Sequence, residues 1–389
     1  MDLNNENIKL GERKMRILFI RSNPVNPDSR VEKEVSTLLK AGHDVTILAW
    51  DRSSNHSLYK SREVFSGYEA VIYRIGIKSS YSGGFRKNII PLIRFQKEIY
   101  SFINKNKNNI DIIHACDFDT AFSAFFSKSK KCRFIYDVFD YYVDSFSVPT
   151  LLKNVVEKID TYIMNKADAV IICTEERKKQ LKYAHPKQLV IIHNTPMKLE
   201  KTQINRNEDI INKTIKVCYV GILSYGRNIL ETCWFISQNK QFELHIGGFG
   251  ILEDQVREYG KKNSNIFFYG KLDYSETLKL EQECDVLIAF YDPSIPNHKF
   301  AAPNKFYEAL MLGKPLIMAE GTGMSNIVKK FNIGSVVSYN NLGDAFMELS
   351  EKRNTWIDIA YIEHELYDRY FSWTVMEKRL LELYFALDK

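Results

Sequence analysis

The chain has 389 residues, 45% of them apolar and 26% charged. That is a globular composition in an amount beyond one hydrophobic core, so two packed domains are expected and disordered, collagen-like and disulfide-scaffold classes are excluded. Fifty-four Lys and Arg against 48 Asp and Glu leave a formal +6, too little over this length to indicate nucleic acid as a partner.

In chain order, residues 1–13 read as a polar tail. Arg16-Ile17-Leu18-Phe19-Ile20 is a short buried-strand run, followed by the turn-rich Arg21-Ser22-Asn23-Pro24-Val25-Asn26-Pro27-Asp28. Ser29 with Glu32 spells a capping box, and Val31, Val35, Leu38 and Leu39 share one face, so a helix is expected from Ser29 to a stop at Gly42. Strand patterns follow at Val45–Leu48, Ala70–Ile75, Ile110–Ala115, Arg133–Asp137, Ala169–Cys173 and Leu189–His193, with helical segments between most of them. Residues 198–213 lose both periodicity and bulk and are expected to be a linker. The pattern then restarts at Ile215–Val220, Phe242–Ile246, Asn265–Tyr269, Val286–Phe290, Pro315–Met318 and Ser335–Ser338, and the chain closes on helical stretches over Trp356–Tyr370 and Trp373–Leu387.

Strand–helix repeats with all-apolar strands predict an α/β chain of two doubly wound Rossmann-like domains, residues 15–197 and 214–370, facing across a cleft. A C-terminal helix over 371–389 is expected to pack back toward the first domain. Open parallel sheets bind ligands at the carboxyl ends of their strands, which makes the cleft the expected site.

Six cysteines lack CxxC spacing and lie mostly in or beside apolar runs such as Val170-Ile171-Ile172-Cys173, the pattern of small core residues in a reducing compartment. The amino-terminal residues hold no signal-peptide core, and no window approaches the roughly 18 uncharged apolar residues of a membrane-spanning helix. A cytoplasmic chain, or one peripheral to the inner face of the cell membrane, is expected.

The first strand-to-helix loop lacks G-x-G-x-x-G and no G-x-x-x-x-G-K-[ST] occurs, which argues against a dinucleotide-dependent dehydrogenase and a nucleoside triphosphatase. The informative stretch is Ala301-Ala302-Pro303-Asn304-Lys305-Phe306-Tyr307-Glu308-Ala309-Leu310-Met311-Leu312-Gly313-Lys314-Pro315-Leu316-Ile317. Pro303 fits a first helical position and Gly313 before Pro315 a stop, bounding a helix of about ten residues. Phe306, Ala309 and Leu310 share one of its faces, and Asn304, Lys305 and Glu308 another. Its N-terminus offers free amides and positive dipole character to a phosphate, while Lys305 and Glu308 read equally as a surface ion pair.

This order of elements, with P-N-K-F-Y-E-A-L-M-L-G-K-P-L-I late in the second domain, resembles the nucleotide-sugar-dependent retaining glycosyltransferases of family 4, which have the GT-B fold. The resemblance runs from about Met15 to Tyr339. It takes in Asp28-Ser29-Arg30-Val31-Glu32-Lys33, Ala41-Gly42-His43-Asp44-Val45, Asp111-Ile112-Ile113-His114-Ala115-Cys116-Asp117, Val190-Ile191-Ile192-His193-Asn194, Val220-Gly221, His245-Ile246-Gly247-Gly248-Phe249-Gly250 and Phe268-Tyr269-Gly270.

The resemblance implies a metal-independent enzyme without a cofactor, moving a hexose from a nucleotide-diphosphate sugar, UDP-sugar foremost, to a saccharide hydroxyl with retention of configuration. It implies donor binding by Gly221, Arg227, Gly248, Gly270, Asn304, Lys305 and Glu308, with Glu308 accepting from the ribose hydroxyls as an ionised carboxylate can. Arg227 and Lys305 are the expected clamps on the diphosphate, and with Asp117 they form the expected catalytic set. On the acceptor side the candidates are Asn23, His114, Asp117, Asp137 and Asp140. Three positions depart from the family: Phe300 replaces the first acid of Glu-x7-Glu, Ile222 an arginine, and Cys116 the second histidine of His-x-His. Asn297, His298 or Lys299 would then orient the sugar. These departures leave two alternatives, a catalytically impaired nucleotide-sugar-binding subunit and a nucleotide-sugar epimerase of the same fold.

Asp117-Phe118-Asp119 spells a D-x-D metal motif, but a helix start near Asp119 explains it as a cap, and no metal is expected. Between Arg86 and Lys107 the basic residues Arg86, Lys87, Arg94, Lys97, Lys105 and Lys107 interleave with Ile89, Leu92, Ile93, Phe95, Ile99, Tyr100, Phe102 and Ile103. Pro91 is the expected start of this basic amphipathic helix, which suits either a core-facing helix with a solvated rim or docking on an anionic membrane surface. Family members with polyprenyl-linked acceptors carry such a face, which implies a lipid-linked saccharide acceptor in the assembly of capsule or other surface polysaccharide.

Overall fold

The computed structural model describes residues 13–80, 84–145, 149–181, 183–199 and 213–388. Most of the expected tail and linker, residues 1–12 and 200–212, lies outside them, as do the side chains of Arg86 and Lys87. The chain divides into two compact units, Met1–Asn194 with Met376–Lys389, and Thr195–Val375.

In the first unit β1 (Arg16–Arg21) leads into α1 (Ser29–Lys40), β2 (Asp44–Asp51), β3 (His56–Phe65), β4 (Tyr68–Gly76) and α2 (Gly84–Asn106). Then come β5 (Ile112–Cys116), α3 (Phe118–Ser127), β6 (Arg133–Val138), α4 (Tyr142–Ser145), α5 (Thr150–Lys166), β7 (Ala169–Ile172) and β8 (Leu189–Ile191). Among the described residues the sheet runs β3-β4-β2-β1-β5-β6-β7-β8. Its inner strands are parallel and buried along most of their length, in keeping with their apolar runs.

Three local features differ from the sequence reading. The strand β3 pairs antiparallel with β4 through a turn in which Ser66 and Gly67 both take positive φ. It escaped detection because an edge strand exposed along most of its length has no buried face to make a pattern. The cap of α1 is Asp28, whose side chain accepts from the Val31 amide while Glu32 accepts from the Asp28 amide; Ser29 is already helical. Pro91 lies inside α2, which begins a further two turns upstream at Gly84.

The second unit contains β9 (Ile215–Ile222), α6 (Ile229–Gln238), β10 (Phe242–Phe249), α7 (Glu253–Lys262), β11 (Ile266–Phe268), α8 (Tyr274–Glu283) and β12 (Val286–Ala289). It continues through α9 (Pro296–Lys299), α10 (Asn304–Leu312), β13 (Leu316–Ala319), α11 (Ser325–Phe331), β14 (Gly334–Val337), α12 (Leu342–Glu351) and α13 (Trp356–Leu366). The sheet order is β11-β10-β9-β12-β13-β14, parallel throughout. Pro303 has extended ψ and caps α10 instead of opening it.

A π-helical turn over Tyr367–Phe371 joins α13 to α14 (Trp373–Asp388). From Met376 onward α14 belongs to the first unit, where Met376, Leu380, Leu383 and Tyr384 are buried. Arg379 donates to the Ile191 carbonyl there, at 3.0 Å. All six cysteines are buried and unpaired. No described helix is long and apolar enough to cross a membrane.

Candidate functional site

Each sheet has a switch point where successive connections leave in opposite directions, and ligands of doubly wound folds bind outside the strand ends there. In the first sheet it lies between β1 and β5, and in the second between β9 and β12.

At the first switch point Arg21, the last residue of β1, donates to Asp28 at 2.9 Å and to Asp117 at 2.5 Å, and its guanidinium lies 4.1 Å from the Phe139 ring centre. The other oxygen of Asp117 accepts from the Phe139 and Asp140 amides, at 2.9 and 3.2 Å. Burial pushes the Asp117 carboxyl up to about 7, against the pull of Arg21. Asp117 also sits at φ 67, ψ 165, a region that non-glycine residues rarely enter. This strain and its full set of donors make Asp117 the knot that ties the β1, β5 and β6 loops together.

Helix α3 begins at Phe118, and neither acid of D-x-D caps it, because the Asp117 side chain makes no capping bond and Asp119 is buried inside the first turn. Asn23 donates to Asp28 at 2.8 Å, and Asp140 accepts from Arg177 at 2.6 Å. Asn23, Asp117 and Asp140 thus share this edge of the first sheet.

His114 and Asp137, expected on the acceptor side, are instead wholly enclosed. The His114 ring stacks on Phe19 at 4.1 Å, its Nδ1 lies 2.8 Å from the Tyr384 hydroxyl, and its Nε2 lies 3.4 Å from Asp137. Arg30 donates to both oxygens of Asp137, at 2.7 and 3.2 Å, and pairs with Glu34 at 3.1 Å. These two side chains point into the core because their strand positions put them on the face that carries Arg30 and Glu34 of α1 and Tyr384 of α14, which an assignment by strand end overlooks.

At the second switch point the Lys305 ammonium donates to the Val220 carbonyl and lies 5.1 Å from the Tyr219 ring centre. The Arg227 guanidinium lies 4.5 Å from the Tyr291 ring centre, with the Tyr219 and Tyr291 hydroxyls as bonding neighbours, and its buried Nε has no hydrogen-bond partner among the described residues. Two cations therefore converge on Tyr219, beside the last residues of β9. Lys305 is buried and so is not half of a surface ion pair, and Arg227 is half-buried.

Burial pulls the Lys305 ammonium down, but Glu281 and Glu308 outweigh it and hold the group above the ordinary lysine range. Glu308 is 2% exposed. It is hydrogen-bonded with the Tyr274 hydroxyl and faces Glu281, whose carboxyl burial and Glu308 together push well above the usual range. Two enclosed carboxylates facing each other disfavour the doubly ionised form. Sequence reasoning missed Tyr219, Tyr291 and Glu281, since nothing in their spacing marks them.

The glycines sit at neighbouring strand ends. The Gly248 amide donates to the Gly270 carbonyl at 2.6 Å, and a Cβ on Gly248, at φ +140, would lie 1.8 Å from the Gly221 carbonyl oxygen. Asn304 is exposed at the start of α10. Of the residues expected to orient a sugar, Asn297 Oδ1 and His298 Nδ1 are buried without hydrogen-bond partners among the described residues. The His298 ring lies 5.2 Å from that of Tyr291. Lys299 lies over the ring of Phe300, at 5.9 Å. A cavity of about 440 Å³ opens at the opposite, amino-terminal edge of this sheet, lined among others by Lys216, Lys314, Arg353 and Trp356, and is remote from these groups.

Residues 30–195 match Glycosyltransferase Family 4. No curated protein matches the sequence. Among solved structures, sucrose-phosphate synthase from Thermosynechococcus elongatus aligns with a TM-score of 0.72 at 16% identity, over 96% of this chain and 99% of that one. HepE from Anabaena in complex with UDP aligns with a TM-score of 0.66 at 13% identity, over 96% and 100%. A trehalose-6-phosphate protein from E. coli bound with UDP-2-fluoro glucose gives 0.70 at 9% identity, over 96% and 99%. The first domain thus matches family 4 in sequence over residues 30–195, and the whole chain has the fold of these solved structures.

Proposed function

We propose that this chain is a retaining hexosyltransferase that takes a nucleotide-diphosphate sugar, UDP-sugar foremost, in its second domain and transfers the sugar to a saccharide hydroxyl. The observation that carries the reading is the convergence of Arg227 and Lys305 on Tyr219 at the second switch point. A diphosphate leaving group gathers negative charge as the glycosidic bond breaks, and preformed cations beside it stabilise that charge without reorganising. Arg227 brings a planar fork and an unused buried Nε, and Lys305 brings a point charge held by the main chain. With retention, the acceptor attacks on the leaving-group side and a donor phosphate oxygen takes its proton, so the protein's part is positioning and charge. Glu308 is the ribose acceptor in this reading, its carboxylate exchanging the Tyr274 hydroxyl for those of the sugar. The structures of HepE with UDP and with UDP-glucose support a uridine nucleotide as the first donor to try.

For the acceptor, the reading is a polyprenyl-linked saccharide met at an anionic membrane surface, as in capsule or other surface-polysaccharide assembly. Ile90, Ile93 and Tyr100 on α2, Phe126 on α3, and Leu152, Val155 and Tyr162 on α5 are exposed apolar groups on helices packed side by side. Arg94, Lys97, Lys105 and Lys107 are exposed on and just after α2. Such a mixture suits headgroups and the acyl boundary together.

The second reading, a donor-binding subunit without turnover, is favoured by Phe300 and the exposed Ile222 in place of polar groups. Calorimetric titration with UDP and UDP-glucose, followed by an assay of UDP release with saccharide acceptors, separates the two. Binding with release supports transfer, binding without release supports the subunit, and no binding of any nucleotide sugar sinks both. Co-sedimentation with vesicles rich in anionic lipid tests the membrane part, which fails if the protein stays in the supernatant.

A further inference from the structure

The core of the first unit holds a cluster that the transfer reaction does not use. His114 and Cys116 stand two residues apart on β5 and so share a face, and Asp137 on β6 is paired with Cys116 in the sheet register. One ligand atom from each of the three lies within 4.8 Å of the other two, and all three residues are fully enclosed. Glu34, in the middle of α1, closes the cluster from above the sheet, with Oε2 3.7 Å from His114 Nε2. Glu34 is 0% exposed, and neither of its oxygens accepts a hydrogen bond from the described residues.

We propose that His114 Nε2, Cys116 Sγ, Asp137 Oδ2 and Glu34 Oε2 bind a divalent transition metal, zinc by ligand preference, as a structural centre in the first unit. Nitrogen, sulfur and carboxylate oxygen are the ligands zinc takes, and four of them around one ion make a closed site of the structural type. In a tetrahedron with bonds of about 2.0–2.3 Å the ligand atoms stand roughly 3.3–3.8 Å apart. The 3.4 Å from His114 Nε2 to Asp137 and the 3.7 Å from Nε2 to Glu34 are edges of that size. The outer contacts fit as well. With the Nδ1–H of His114 donated to the Tyr384 hydroxyl, Nε2 presents its lone pair to the cluster, the usual arrangement for a metal-bound imidazole.

Arg30 bonds to Asp137 and pairs with Glu34 Oε1, orienting both carboxylates from outside the ligand set. The charges close too, since a dication and Arg30 together balance two carboxylates and a thiolate, as an enclosed site requires. The centre would pin β5, β6 and α1 to one another and, through Tyr384, to α14.

Elemental analysis of the full-length protein, purified without chelator or histidine tag, tests this directly. About one zinc per chain, retained through dialysis, is expected. Cys116→Ala, which leaves a small apolar side chain in an apolar core, is expected to lower the zinc content roughly tenfold while keeping its circular dichroism spectrum. Protein refolded with cobalt in place of zinc should show a thiolate-to-cobalt charge-transfer band, which decides the matter even if the variant fails to fold. A folded protein with no transition metal, no rise in melting temperature on adding zinc and no such cobalt band overturns the proposal.

Discussion

The ammonium of Lys305 donates to the main-chain carbonyl of Val220, so the first turn of α10 is fastened to the end of β9 by a charge. That charge also faces Glu281 and Glu308. Replacing Lys305 with Met keeps the length but leaves the acids enclosed without a cation. A loss of about 3–5 kcal/mol in urea unfolding of the full chain is expected. Adding Glu281→Gln should recover part of it, and additive effects in the double variant would separate Glu281 from Lys305.

Arg227 rests on Tyr291 and contributes little to the core, so Arg227→Ala should melt close to the parent while binding UDP at least about tenfold more weakly, near 1.4 kcal/mol. Glu308→Ala is expected to weaken UDP binding to a similar degree. Calorimetry in which either variant titrates like the parent removes that residue from the site.

Asp160 is buried on α5, where its Oδ1 accepts from the Tyr136 hydroxyl at 2.7 Å and its Oδ2 has no hydrogen-bond partner among the described residues. Burial raises its carboxyl from 3.8 to about 7. Between those values the folded state holds a proton that the unfolded state has released, so stability falls as pH rises through this window and levels off above 7. The contribution is at most about 4 kcal/mol. Asp160→Asn should flatten this part of the profile in denaturant titrations from pH 4 to 8; an unchanged slope places the titrating group elsewhere.

Gly248 has no room for a side chain, since its Cβ would lie 1.8 Å from a carbonyl oxygen of the neighbouring strand end. Gly248→Ala must therefore push β9 and β10 apart beside Tyr219. Both melting temperature and UDP affinity should drop together. Gly270→Ala, at positive φ but with open space around it, should cost only about 1 kcal/mol of stability. Differential scanning fluorimetry with and without UDP checks both.

The parallel strands of both units were legible because buried strands are apolar at every position, as in Val170–Ile172 and Leu316–Met318. The β3 edge was not, because exposed Leu58, Lys60, Arg62 and Val64 carry no burial signal. Arg227, Lys305 and Glu308 could be named from their motif, but their setting could not. Helical spacing puts Lys305 and Glu308 on a common face and says nothing of Glu281 and Tyr219, which arrive from other elements to bury them. His114 and Asp137 were misplaced for a related reason. Nearness to a strand's carboxyl end fixes height along the strand, whereas the side of the sheet is fixed by parity.

The helix α14 completes the first unit with residues made only after the whole second unit. Leu380, Leu383 and Tyr384 are buried there, and Tyr384 lies against His114. On the ribosome, the unit that emerges first must therefore wait with an open hydrophobic face while the second is synthesised and folds. The order of synthesis and the order of completion are opposite, and a chaperone that covers apolar surface has its longest task on the earliest part of this chain.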